Sequence, residues 1–460
     1  MVEVAVRSGV MEELGDVARL IRSGRIGEAL ARLTAIEAEA AGDGVLLQHL
    51  GEYYTHCGKP ADAARCYRRA VTLTPDDPGC LYNLATALIA TGQTKEAEGL
   101  LDRVVMLNPG DGDAWQNRST LRRQTPEANH VDGLLEAVAR ARPGPEEVAL
   151  CYALAKEYED LGEAGPSFDW LKRGAGRRRS LLSYQVEADV AAMEQIADVF
   201  DAGLLARPGA GCADTGPIFV LGLPRSGTTL VDRIISSHSA VESLGEINDF
   251  ALSLMRLAGD AAGKGDLIRR SATLDPAALG RAYIDSTAGY GAAAPMLIDK
   301  TPVNFLYIGL IARALPNARI VHLRRHPMDS GYALYKTLFR MGCPYSYDLK
   351  DIAAYMLAHR RLMDHWRMVL PGRVLDVDYE ALVTDQETQS RRIIAHCGLD
   401  WQDACLRFHE NTSPAATASA AQVRQPIHAK SVGLWRRYGE QLKPLAATLV
   451  AGGMDPAELA

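Results

Sequence analysis

The apolar pattern Leu47, Leu50, Gly51, Tyr54, Ala63, Tyr67, Ala70 and Pro75 returns 34 positions later as Leu81, Leu84, Ala85, Leu88, Ala97, Leu101, Val104 and Pro109. One further period back stand Ala29, Leu33 and Ile36, a degenerate first copy. Gly58 and Gly92 occupy the same point in their copies, a turn between two helices. A unit of this length leaves an apolar face that only its neighbour can cover, so the pattern predicts helical pairs stacked into a short superhelix. The clearest copies are 44–77 and 78–111. Trp115 opens a further helix, and Glu146 to Arg173, with Tyr158, Gly162 and Leu171, reads as a worn copy beyond a break at Arg140–Glu146.

After the Gly- and Pro-rich stretch Arg207–Pro217 the rhythm changes. Short apolar runs (Ile218–Leu221, Met296–Ile298, Arg319–Leu323, Val374–Val377) alternate with helical segments. That alternation predicts a parallel sheet with helices on both faces. The expected organisation is a multidomain α plus α/β chain: a helical repeat domain over 1–200, a linker over 201–216 and an α/β domain over 217–460.

Ligands of such sheets lie beyond the carboxyl ends of the strands. Behind Ile218–Leu221 come Gly222, Pro224-Arg225-Ser226-Gly227 and then Thr228-Thr229 opening a helix. Successive backbone N–H groups and the positive end of a helix dipole then converge on one spot, which suits a phosphate-like dianion. The Gly222-x4-Gly227 spacing matches a nucleotide P-loop, but Thr228 stands where that loop needs lysine. Other strand ends carry Gly245-Glu246, Asp299-Lys300-Thr301-Pro302 and Arg324-Arg325-His326-Pro327 with Asp329. Four neighbouring strand ends thus bear charge where a ligand belongs.

Composition narrows the class of ligand. With a net charge of −7 over 460 residues, the chain offers nucleic acid no general attraction, so an anion site must be local. No stretch approaches the roughly 20 apolar residues of a membrane span. The eight cysteines are scattered without a C-x-x-C pair, which predicts reduced thiols and a cytoplasmic protein. Histidines lack metal-ligand spacing, so no metal is expected.

The ordered motifs permit a comparison with a known family. Pro224–Thr229 resembles the loop by which sulfotransferases grip the 5′-phosphosulfate of 3′-phosphoadenosine-5′-phosphosulfate (PAPS), and Arg325-His-Pro327 with Asp329 resembles their R-x-P-x-D segment at the 3′-phosphate. Gly245-Glu246, Lys300 and the stretch Ser419–Pro426 followed by Trp435 resemble the tyrosylprotein sulfotransferase branch and its bacterial-type fusions to tetratricopeptide repeats, which residues 44–111 resemble in turn. The resemblance implies a P-loop-like sulfotransferase that moves a sulfuryl group from PAPS to an acceptor hydroxyl and releases 3′,5′-ADP. It implies Glu246 as base, Lys300, Arg225 and Ser419 around the transferred group, and Arg225, Ser226, Gly227, Thr228, Thr229 and Arg325 as PAPS ligands. The chain departs from the family pattern at His326 and at Ala333, where a serine is usual. Tyr332, Ser330, Lys336 or Arg424 would then complete the 3′-phosphate site. The acceptor stays open among peptide tyrosine, glycan and small molecule, and the repeat groove among a protein partner, a second subunit and simple packing. A non-catalytic scaffold with a degenerate nucleotide domain and a P-loop NTPase are the competing readings.

Overall fold

Asp43, Asp77 and Asp111 lie 34 residues apart and do the same work. Each carboxylate accepts from free N–H groups at a helix start: Val45 and Leu46, Gly79 and Cys80, and Ala114, respectively. The structure, a computed structural model, describes residues 2–460 apart from Ala41, Pro208, Ala210, Met341, Thr412 and 414–421. Its first half runs as α1 (Val2–Arg22), α2 (Ile26–Glu39), α3 (Gly44–His56), α4 (Pro60–Leu73), α5 (Pro78–Thr91), α6 (Thr94–Leu107), α7 (Gly112–Thr120), α8 (Val131–Arg140), α9 (Pro145–Leu161) and α10 (Ala164–Ser180). Gly24, Gly58 and Gly92, also 34 apart, take φ of 74°, 69° and 86° between the paired helices. A left-handed turn there is what glycine permits at no steric cost. Gly51 is equally constrained, because a Cβ would come 2.5 Å from the Tyr67 ring.

The repeated apolar positions, Leu47, Leu50, Leu81, Leu84, Ala97, Leu101 and their neighbours, form one buried core running from Leu14 to Ala114. A second core behaves differently. It joins Val148, Tyr152, Phe168 and Leu171 of α9 and α10 to Phe219, Phe305, Tyr332, Trp366 and Leu445 far along the chain. Two further helices, α11 (Val186–Val199) and α12 (Ala202–Leu205), contribute Met193, Ile196 and Leu204 to it. The expected division at 201–216 therefore marks a change of secondary structure, while packing is continuous across it.

Among the described residues five parallel strands follow: β1 (Pro217–Gly222), β2 (Val241–Ser243), β3 (Met296–Asp299), β4 (Arg319–Arg324) and β5 (Val374–Asp378), in the order β2-β3-β1-β4-β5. Between them lie α13 (Thr228–Ser236), α14 (Asp249–Ala258), α15 (Lys264–Ser271), α16 (Pro276–Ala288), α17 (Ile308–Ala314) and α18 (Pro327–Tyr335), and Leu349–Val369 forms a long helix before β5. Every residue of β1 is buried, as a central strand with both faces covered requires. This arrangement puts the loops after β1, β3 and β4 side by side at one edge of the sheet.

Candidate active site

Strand register brings the first two charged residues together. β2 and β3 pair with Ser243 opposite Ile298, and the ladder continues past the end of β2 through Leu244 N to Ile298 O (2.9 Å) and Lys300 N to Gly245 O (2.9 Å). Glu246 therefore emerges beside Lys300, and the Lys300 ammonium donates to Glu246 Oε1. Lys300 is almost wholly buried while Glu246 is half exposed, so the carboxylate has one side on the ammonium and the other toward solvent. Behind them on α13 lies buried Asp232, whose carboxyl is held above its ordinary range by burial, against the pull of the Lys300 charge.

The loop after β1 supplies the cradle. Gly227, with φ of 108°, begins α13, and Arg225 itself takes a left-handed φ of 68°. That conformation costs a non-glycine residue about 1 kcal/mol and is characteristic of ligand-gripping segments. Both glycines are sterically required. A Cβ on Gly222 would lie 2.7 Å from Leu323 O, and one on Gly227 would lie 2.6 Å from the Tyr379 ring. Ser226 is buried, and its Oγ lacks a hydrogen-bond partner among the described residues. Thr228 and Thr229 form the first turn of α13, where N–H groups are unsatisfied by the helix itself.

β4 leads the second anion-binding segment into the same place. Arg325 donates through Nη1 to Arg225 O (3.0 Å) and through Nη2 to Ser431 O (2.8 Å), and its guanidinium lies 4.8 Å from the centre of the Tyr379 ring. Its Nε is buried without a partner among the described residues. Burial and the neighbouring Arg325 charge push the Arg225 guanidinium down to about 10, with Glu246 opposing. Two cations forced together around orphaned donors, on a cradle that admits no extra carbon, are what a multiply charged anion would relieve. The residues fit a ligand bearing several phosphate-like groups.

Asp329 serves a structural end: it accepts from Gly433 N (2.6 Å) and Trp435 N (3.1 Å). His326 stacks on Trp435 at 5.7 Å and donates its backbone N–H to Glu380 Oε1 (2.9 Å). Tyr379 completes the clasp through a 2.9 Å bond to Ser431 Oγ.

Residues 217–403 match the sulfotransferase family, and residues 57–119 match the tetratricopeptide repeat. The chain thus joins a segment similar to tetratricopeptide repeats to a segment that matches the sulfotransferase family. An uncharacterised Aquifex aeolicus protein is 33% identical over 65% of this chain and 41% of its own length. A putative protein-tyrosine sulfotransferase of Caenorhabditis briggsae is 27% identical over 47% of this chain and 80% of its own. An omega-hydroxy-beta-dihydromenaquinone-9 sulfotransferase of Mycobacterium tuberculosis is 31% identical over 22% of this chain and 29% of its own. The chain thus spans less than half the length of the first of these relatives. Among solved structures, the sulfotransferase domain of a Synechococcus olefin synthase is 18% identical, with a TM-score of 0.33 over 50% of this chain and 97% of its own.

Four residues expected to complete the 3′-phosphate site are engaged elsewhere. Tyr332 is buried on α18 with its hydroxyl donating to Glu159 Oε1 (2.7 Å), and Lys336 pairs with the same carboxylate at 2.8 Å. A group so committed to a buried carboxylate is not a free phosphate donor. Arg424 rests on the turn of the second clear repeat, donating to Ala90 O (3.4 Å) beside Gly92. Ser330 is buried and bonds back to Arg325 O (3.4 Å). Ser419 lies outside the described residues. Tyr379, Ser431 and Asp232 were missed by sequence reasoning. Gly227, which admits no Cβ against Tyr379, was the available clue to that ring.

No described helix is long and apolar enough to cross a membrane, and no group of three or more potential metal ligands occurs among the described residues.

Proposed function

We propose that the chain transfers a sulfuryl group from PAPS to an acceptor hydroxyl by in-line displacement. The observation that carries this reading is the register-imposed meeting of Glu246 with buried Lys300 beside the strained Arg225 loop. Ser226, Gly227, Thr228 and Thr229 hold the donor's 5′-phosphate through hydroxyl and backbone N–H groups, and Arg325 faces the 3′-phosphate. The acceptor oxygen forms a bond to sulfur as the bond from sulfur to the 5′-phosphate oxygen breaks. The electron pair of that bond leaves with the phosphate, giving 3′,5′-ADP. Glu246 takes the hydroxyl proton late in this process, when bond formation has made it acidic. Lys300 and Arg225 offset the charge gathering on the bridging and equatorial oxygens.

Relatives named protein-tyrosine sulfotransferases support a phenolic acceptor, and a relative named for a hydroxylated menaquinone keeps a lipid hydroxyl in view. The test is release of 3′,5′-ADP from PAPS in the presence of hydroxylated acceptors. Wild-type protein turns over and Glu246→Gln does not, while both bind 3′,5′-ADP.

A further inference from the structure

Alternate residues around Glu246 are each held in place. Gly245 O accepts from Lys300 N (2.9 Å), Ile247 O accepts from the Thr301 hydroxyl (2.6 Å), and Asp249 Oδ2 accepts from the Tyr290 hydroxyl (2.8 Å). The first two ties run to the continuation of β3, so they move with Lys300. The third does not. Tyr290 stands two residues past the end of α16, where its N–H donates to Thr287 O (3.1 Å). Asp249 is buried at the start of α14, and its Oδ1 has no partner among the described residues. Losing the Tyr290 bond would leave a buried carboxyl short of donors, and the segment that carries Glu246 would move to relieve it.

Tyr290 also belongs with the repeat array. Its ring packs on the apolar core that runs from Leu14 to Ala114, and its carbonyl accepts from the Lys59 ammonium (3.1 Å) beside the Gly58 turn. Immediately before it, Gly289 lies so close to α2 that a Cβ on Gly27 would stand 2.8 Å from Gly289 Cα. The Gly24 turn touches α14 as well, since a Cβ there would meet the Leu252 side chain at 3.4 Å. About two helical turns earlier on α16 lies a second phenol, Tyr283, whose hydroxyl donates to buried Asp299 next to Lys300 (3.3 Å). One helix and its end thus steady both members of the Glu246–Lys300 pair, and the array bears on the end that serves Glu246.

We propose that Tyr290 is a positioning residue for Glu246, through which the repeat array sets how the base is held against Lys300. The inference rests on the sulfuryl-transfer reading for its consequence in catalysis, while the coupling of array to loop stands apart from it. Transfer needs Glu246 aligned with the acceptor hydroxyl, and a misplacement of about 1 Å at such a group costs on the order of 100-fold in rate. The donor cradle hangs instead on the ends of β1 and β4, so nucleotide affinity should not follow Tyr290. The coupling therefore has a signature: turnover changes and donor binding does not.

The experiment measures transfer from labelled PAPS to N-acetyltyrosinamide and p-nitrophenol by full-length variants. Tyr290→Phe keeps the ring in the array core and removes its bond to Asp249; kcat should fall about ten-fold, with KM for PAPS and 3′,5′-ADP affinity within about two-fold of wild type. Gly27→Ala favours α2 itself, alanine being the better helix former, yet forces Gly289 away, and should show the same split at about three-fold. Asp249→Asn, which keeps an acceptor for the Tyr290 hydroxyl, should retain most of the rate that Asp249→Ala loses. Unchanged kcat in Tyr290→Phe, or a loss of kcat matched by an equal loss of nucleotide affinity, overturns the proposal. Hydrogen exchange at the Leu244 and Lys300 amides, which bond across the base of the loop, reads the coupling without catalysis and should quicken about ten-fold in Tyr290→Phe and Gly27→Ala. If the wild-type protein sulfates neither acceptor, the sulfuryl-transfer reading falls and exchange decides alone. Faster exchange in both variants then upholds the coupling, and exchange equal to wild type overturns it.

Discussion

The helical pairs α3–α4 and α9–α10 are built alike and used differently. Each turns at a left-handed glycine, Gly58 or Gly162, and each packs its two helices tightly. The first pair buries Leu47, Leu50 and Tyr67 in the repeat core, which touches the C-terminal half through Tyr290. The last pair buries Tyr152, Phe168 and Leu171 against the sulfotransferase core, where Phe168 meets Tyr335 and Tyr438 at 5.7 and 5.8 Å. Glu159 of α9 also holds Tyr332 on α18, the helix that follows the Arg325 segment, and Lys336 just past its end. One architecture thus packs mainly on its own kind in the first case and on the core beneath the proposed donor site in the second.

Breaking the two pairs should have unequal consequences. Phe168→Ala is expected to cost about 3–5 kcal/mol and to lower the unfolding temperature of the sulfotransferase domain together with 3′,5′-ADP affinity. The corresponding truncation in the first pair, Leu50→Ala, at a cost of about 2–5 kcal/mol, should loosen the array and spare nucleotide affinity, as calorimetry with and without 3′,5′-ADP would read. Equal loss of nucleotide affinity in both would erase the distinction. Next in size, Glu159→Ala strands the buried Tyr332 hydroxyl and Lys336 ammonium and should destabilise by roughly 3 kcal/mol, with Glu159→Gln milder. Chemical denaturation monitored at the aromatic cluster checks this.

A smaller effect concerns pH. Burial, with Asp249 nearby, pushes the Asp299 carboxyl up to about 7, beside Lys300 and bonded by the Tyr283 hydroxyl at 3.3 Å. Its ordinary value is near 3.9, so between about pH 4 and 7 the folded chain holds a proton that the unfolded chain has lost. That contribution is fully present below pH 4 and is lost as pH rises through 7. Asp299→Asn should flatten this part of the profile and raise the unfolding temperature at pH 8. A variant that keeps the wild-type slope would assign the titration to another group. Smallest of all, Arg424→Ala should change 3′,5′-ADP affinity less than three-fold, because that guanidinium rests on the repeat turn, whereas Arg325→Ala should weaken it at least ten-fold.

The contrast between the two helical pairs was only half legible in the sequence. A strict period is visible when each copy packs on another like itself, so Leu47, Leu81 and their partners betrayed the array at once. α9 packs on a foreign core, and its copy of the pattern is worn for that reason. Likewise the strand ends could be found from short apolar runs, because alternation is local. Which ends touch is a matter of register. That Lys300 meets Glu246 follows from the pairing of Ser243 with Ile298, and that Tyr332 faces Glu159 follows from a contact 173 residues apart. Asp43, Asp77 and Asp111 were readable as caps in the same 34-residue rhythm, a signal that the apolar period overshadowed.

The central claim is that the edge of the sheet holding Glu246, Lys300 and the Arg225 loop moves sulfuryl groups. Single-turnover reaction with labelled PAPS and a hydroxylated peptide pool tests it most directly. The account predicts that wild-type protein places the label on acceptor oxygen with equimolar 3′,5′-ADP, and that Glu246→Gln and Lys300→Ala lose at least 100-fold in rate while Glu246→Gln still binds 3′,5′-ADP. Label transfer undiminished in Glu246→Gln, or no thermal stabilisation of the wild-type protein by millimolar 3′,5′-ADP, would contradict it.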